Sequence, residues 1–156
     1  KGPVAVPMAI DRTADPAHSG FLAAKLTAAV RERIMKTGDY ALGNLDDADC
    51  RIEIAITEYR AHTVGADIYG DPMESAIRIR ATVSVWDATA GAYVIRGAVI
   101  ANTDSMPVSG RFDFRAGETA RTGTDAAIDD LARAICYRAF EAYEPAETPE
   151  TTPSLD

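Results

Sequence analysis

Three stretches of the chain alternate apolar and polar residues with a period of two. Cys50, Ile52, Ile54 and Ile56 alternate with Arg51, Glu53, Ala55 and Thr57, and Ile77, Ile79, Ala81, Val83 and Val85 alternate with Arg78, Arg80, Thr82 and Ser84. After a tight connection at 87–91, Tyr93, Ile95, Gly97, Val99 and Ala101 continue the pattern. Successive side chains of a strand point to opposite faces, so this period demands a sheet with one buried face and one polar face. On either side of the sheet-forming region lies a segment of helical period. Leu22, Leu26, Val30 and Ile34 form one apolar stripe, and Ile128, Leu131, Ile135, Ala139 and Ala142 form another. One-sided helices and a one-sided sheet can bury their apolar faces against each other. The expected fold is therefore α+β, a two-layer sandwich with both helices on one face of a mainly antiparallel sheet of about four to five strands, in the order β-α-β-β-β-β-α.

Boundaries follow from punctuation. Val4, Val6, Met8 and Ile10 alternate with smaller residues, and Pro7 lacks the N–H that a central ladder needs, so residues 1–10 read as an edge strand. Asp15-Pro16 reads as a helix start and Gly38 as its stop, predicting a helix over 16–37. Tyr40-Ala41-Leu42 is a short strand candidate, and 61–74, with Gly65, Gly70 and Asp71-Pro72, reads as a loop. The faces then set a register: Val85 opposite Tyr93, Val83 opposite Ile95, Ile79 opposite Val99. Residues 103–123 read as a long connection before the second helix begins near 122–124. The domain spans 1–144, and 145–156, rich in Pro, Glu and Thr, reads as a disordered tail.

A length of 156 residues favours a single domain. The net charge of −8 lacks the basic excess that duplex binding requires, which argues against nucleic acid as a partner. The run 4–10 is far short of the ~20 apolar residues of a membrane-spanning helix. Asp46, Asp47 and Asp49 lack the spacing of a calcium loop. His18 and His62 stand without a partner nucleophile, and the chain carries neither a phosphate-binding loop nor a dinucleotide fingerprint. The expectation is a protein that is not an enzyme and uses no cofactor or metal. Cys50 lies on the inward face of its strand and Cys136 near the inward stripe of the last helix. They could pair as a disulfide in an oxidising compartment or remain two buried thiols.

The polar face carries the most informative feature. Arg78, Arg80 and Arg96 project from it in the expected register, joined by Arg51 on the preceding strand. Clustered guanidinium groups repel one another unless an anion or partner balances them, and they bind phosphate or carboxylate bidentately.

Val4-Ala5-Val6-Pro7, the polar loop with Arg12-Thr13 and the helix containing Leu26-Thr27-Ala28-Ala29-Val30 together resemble the lipopolysaccharide-assembly lipoprotein family. So do Asp47-Ala48-Asp49 leading into the strand 51–57 and Tyr59, the strand 79–87 and the helix 126–143. The resemblance spans about 3–143. It implies a non-catalytic outer-membrane lipoprotein that plugs a large β-barrel, the lipopolysaccharide translocon, and helps it fold and deliver lipopolysaccharide to the cell surface. The expected partners are thus the barrel and lipopolysaccharide. Membrane attachment would come only from an N-terminal lipid anchor upstream of Lys1, on the periplasmic side of the outer membrane. The basic residues that such proteins turn toward lipopolysaccharide map onto Arg78 and Arg80, with Arg60 beside them. The alternative expectation is an auxiliary ligand- or peptide-binding lipoprotein of an envelope transporter, with a pocket under 61–74 and 104–120.

Overall fold

The computed structural model describes residues 2–14, 20–66, 68–70, 72–102, 111–113 and 120–143. The elements are β1 (Val4–Ala5), β2 (Ile10–Asp11), α1 (Phe21–Thr37), β3 (Cys50–Ala66), β4 (Pro72–Asp87), β5 (Ala92–Ala101), β6 (Arg111–Asp113) and α2 (Ala120–Tyr143). They form an α+β fold, an open mixed sheet with both helices packed against it. The sheet order is β1-β3-β4-β5, with β2 also on β3 and β6 also on β4. None of its helices is long and apolar enough to cross a membrane, among the described residues.

The core is the one that the periodicities specify. Ile52, Ile54 and Ile56 of β3 and Ile77, Ile79, Ala81, Val83 and Val85 of β4 are buried against Leu22, Leu26, Val30 and Ile34 of α1 and Ile128, Leu131, Ile135 and Ala139 of α2. At one end Tyr40 stacks on Phe140, ring centroids 4.2 Å apart, and closes the sandwich. Gly38 ends α1 in the left-handed region, at φ 71°, where a Cβ would be strained. The helix begins at Phe21; the Asp15-Pro16 start expected from sequence, and the tail 145–156, lie outside the described residues.

Five expectations are corrected. The N-terminal strand is not continuous: β1 and β2 are two-residue pieces running parallel to β3, and Met8 and Ile10 are more than half exposed. Between the pieces the backbone turns to α1 for its hydrogen bonds. Thr27 Oγ1 accepts from Ala9 N at 2.9 Å, and Arg31 donates to Val6 O from Nε at 3.0 Å and Nη2 at 2.6 Å. The segment at 40–42 contributes a single parallel bridge, Leu42 to Val4, on the far side of β1.

The expected loop at 61–74 is mostly strand. β3 continues to Ala66 and β4 starts at Pro72, a long antiparallel hairpin in which bulges, rather than a loop, accommodate the glycine at 65. Its tip exposes Ile68 and Tyr69, at 91% and 82%. The connection at 103–123 contains β6, which extends the edge of β4 by pairing Arg111 with Ala76.

The register of β5 also differs. Val85 faces Ile95 and Val83 faces Ala98, with irregularities on both sides of Val85. Gly97, at φ 64°, donates from its N–H to Ser84 Oγ at 2.9 Å, and Arg96 and Gly97 together occupy the space opposite Ser84. Two extra residues in β5 shift the alternation twice. Of the five residues expected to point inward only Ile95 is buried, while Tyr93 meets Trp86 on the outer face and Val99 lies beside Thr82.

Candidate functional site

With both helices on the inner face, the outer face of β3, β4 and β5 carries the predicted arginines in two groups. The first lies where β3 begins. Arg51 and Trp86 are directly paired, as are Trp86 and Tyr93, so three strands contribute one row. Trp86 and Tyr93 meet edge to face at 5.0 Å, the Arg51 guanidinium lies 5.7 Å from the Trp86 ring, and that of Arg96 lies 4.8 Å over Tyr93. Glu53 Oε1 lies 2.7 Å from Arg51 Nε as an ion pair, and Glu53 Oε2 accepts from the Tyr93 hydroxyl at 3.1 Å. Arg51 and Arg96 are thus held by an acid and two aromatic faces within the protein.

The second group forms a groove of about 360 Å³ lined by Glu58, Arg60, His62, Arg78 and Arg80. It lies about 20 Å along β4 from the first row, at a rise of roughly 3.3 Å per residue. Its origin is a bulge. Ile56 pairs with Ala81 and Glu58 with Arg80, leaving Thr57 as an extra residue. Unbroken alternation from Ile56 would turn Glu58, Arg60 and His62 into the core. The extra residue reverses the parity, sends these three outward beside Arg78 and Arg80, and turns Tyr59 inward, where its hydroxyl lies 2.8 Å from Thr124 Oγ1 of α2. Successive rungs across the groove are Glu58–Arg80, Arg60–Arg78 and His62–Ala76. Arg80 Nη1 lies 3.4 Å from Glu58 Oε2, both side chains partly exposed.

The structure therefore brings Arg60, Arg78 and Arg80 together and places Arg51 and Arg96 apart from them. Sequence reasoning missed Glu58 and His62 as members of the groove. Their i, i+2 spacing with Arg60 was the available signal, hidden because the parity change at Thr57 leaves no mark in composition. Trp86 and Tyr93 were missed for a similar reason, since Tyr93 was assigned to the core.

The two cysteines are free and buried, with Cys50 at the start of β3 and Cys136 in α2. The Cys136 thiol points to Val30 O at 3.9 Å, toward α1. Burial pushes the Cys50 thiol up to about 12, helped by the negative charges of Asp87 and Asp49, and the Cys136 thiol up to about 11. Both stay protonated, and so weakly nucleophilic, at neutral pH. Among the described residues no group of three or more His, Cys, Asp or Glu is placed to hold a metal.

No protein-family model matches the chain, and no curated protein matches it. Solved structures do. A hypothetical protein of Chlamydia trachomatis matches with 15% identity, 93% of this chain and 99% of that chain covered, and a TM-score of 0.62. A Xanthomonas campestris protein of the DUF330 family follows at 12% identity, with 90% and 85% covered and a TM-score of 0.58. The PelC dodecamer of Paraburkholderia phytofirmans matches at 14% identity, with 90% and 86% covered and a TM-score of 0.50. Such low identities show a shared fold alone. Looser matches include a minor lipoprotein of Acinetobacter baumannii, at a TM-score of 0.46, and a lipoprotein of Neisseria meningitidis, at 0.37. At that distance they carry no argument of their own.

Proposed function

We propose that the chain is the folded domain of an envelope lipoprotein that works without catalysis. It would plug and help assemble the outer-membrane β-barrel that transports lipopolysaccharide, and assist delivery to the cell surface. The observation that supports this reading most is the outer face of the sheet, where Arg60, Arg78 and Arg80 line a groove against one carboxylate, Glu58. A rigid sandwich with a polar, hydrogen-bonding wall suits the hydrated interior of a barrel, and guanidinium groups suit the phosphates of a glycolipid. The resemblance of 3–143 to the lipopolysaccharide-assembly lipoproteins adds the choice of partner. The buried, protonated thiols fit a role in which no side chain attacks a substrate.

The test is a crosslinked pull-down of the full-length, lipid-anchored protein from its own envelope, with the captured partner identified by mass. Recovery of one large outer-membrane barrel in near-equal amount is the expected result. Recovery of inner-membrane transporter subunits would replace this reading with an auxiliary transporter lipoprotein. Arg78→Glu together with Arg80→Glu should weaken capture and lipopolysaccharide binding without unfolding the domain. Unchanged capture and binding would remove the groove from the interface.

A further inference from the structure

The groove contains its own anion. Three of its five lining residues are arginines and one is a carboxylate, Glu58, which sits directly across the strands from Arg80 and contacts it at 3.4 Å. The next rung sets Arg60 directly opposite Arg78, which brings two further guanidinium groups beside the pair. Side-chain exposures of 44% for Arg80 and 31% for Glu58 make their contact a partly solvated ion pair, which is a weak one. Arg51 also pairs with a partly exposed carboxylate, Glu53, but its guanidinium lies against Trp86 as well, and that of Arg96 lies over Tyr93. In the groove an incoming anion therefore meets three guanidinium groups, one of which, Arg80, has a weakly held internal partner that can be exchanged.

We propose that Glu58 is a built-in competitor in this groove: it holds Arg80 while the site is empty, and a phosphate monoester seated between Arg60 and Arg78 takes Arg80 from it. The exchange conserves charge pairing at Arg80. His62, on the following rung, offers a further hydrogen-bond donor to the same phosphate. A volume of about 360 Å³ accommodates the phosphate and the first sugar ring attached to it. Glu58 would thereby act through Arg80 as a positioning residue and set the threshold for binding, favouring doubly charged phosphate over weaker anions. This proposal rests on the reading of the groove as an anion site and is independent of the barrel.

The experiment is a calorimetric titration of the full chain with glucose 1-phosphate, alongside co-sedimentation with phosphatidylcholine vesicles with and without phosphatidic acid. The two arms separate a soluble from a lipid-borne monoester. Glu58→Gln should tighten binding about threefold, the scale of one partly exposed ion pair. Arg78→Gln should weaken it about tenfold or more. In an Arg80→Gln background the gain from Glu58→Gln should vanish, because the competitor then has nothing to hold. Glu58→Gln binding no tighter, or a gain that persists without Arg80, would overturn the role of Glu58 while leaving the anion site standing if Arg78→Gln still weakens binding. Wild-type protein that binds neither probe would overturn both.

Discussion

Asn102 shows how much a single buried side chain decides. It sits where β5 ends, 2% exposed, and continues along β4 what the strand no longer supplies. Its Oδ1 accepts from Ile79 N at 2.7 Å and its Nδ2 donates to Ile77 O at 2.8 Å, filling the interval on the β4 edge between β5 and β6. Asn102→Ala should leave both backbone groups unpaired and cost about 2–3 kcal/mol in urea unfolding. Nothing in the pattern of the sequence marks this asparagine, since its partners are backbone atoms more than 20 residues earlier.

The cysteines make a second prediction at this scale. Their thiols are raised from 9.0 to about 12 and about 11 by burial, whereas in the unfolded chain they ionise near the ordinary value. Their contribution to stability is whole below pH 9 and is lost as pH rises toward 11–12. Unfolding free energy should fall over that interval, and a Cys50→Ala, Cys136→Ala variant should show a shallower fall. Native protein should likewise resist iodoacetamide at pH 8 and react fully once denatured.

Among elements, the helices and the inner faces of β3 and β4 were legible because period and burial agree along them. Strand ends and pairings were not, since they turn on bulges, and a bulge is one residue of extra backbone with no required side chain. Thr57 is unremarkable as a residue, yet it decides whether Arg60 faces the core or the groove. Gly97 is the exception, a glycine whose positive φ does mark the site. Gly97→Val should strain the bulge, loosen β5 and lower the thermal midpoint by several degrees, with the β3–β4 hairpin retained by NMR.

A separate consequence concerns the outer edge of β3. Beyond Ile56 its described partner is β4 alone. Hydrogen exchange over residues 58–66 should therefore alternate, slow where the N–H points to β4 and fast where it points to the open edge. Uniform protection along this stretch would mean that something else pairs there.

Across the whole molecule, the two helices bind the ends of the chain together. Lys25 of α1 pairs with Asp125 of α2, the Cys136 thiol reaches Val30 O, and Phe140 stacks on Tyr40. Leu131, fully buried near the centre of α2, should cost about 2–5 kcal/mol when replaced by alanine, with one cooperative transition retained by fluorescence and circular dichroism. Two separated transitions would show that the helices and the sheet melt as independent units. The two-layer arrangement was legible at this scale because both helical stripes and the sheet face are one-sided. The parallel placement of β1 and β2 was not, since alternation alone carries no direction.

That parallel placement has a kinetic consequence. β3, β4 and β5 are neighbours in sequence and can assemble as a meander early. β1 reaches β3 only by closing the chain from Val4 to Cys50, and α2 covers the sheet only after residue 120 has been made. Pairings between distant residues form slowly, because loop closure is entropically uphill until the last contacts reward it. A nascent chain thus carries a three-stranded sheet whose apolar face has α1 alone to cover it until the final helix emerges, and the part that α2 will occupy stays open to water or to another apolar surface in that interval.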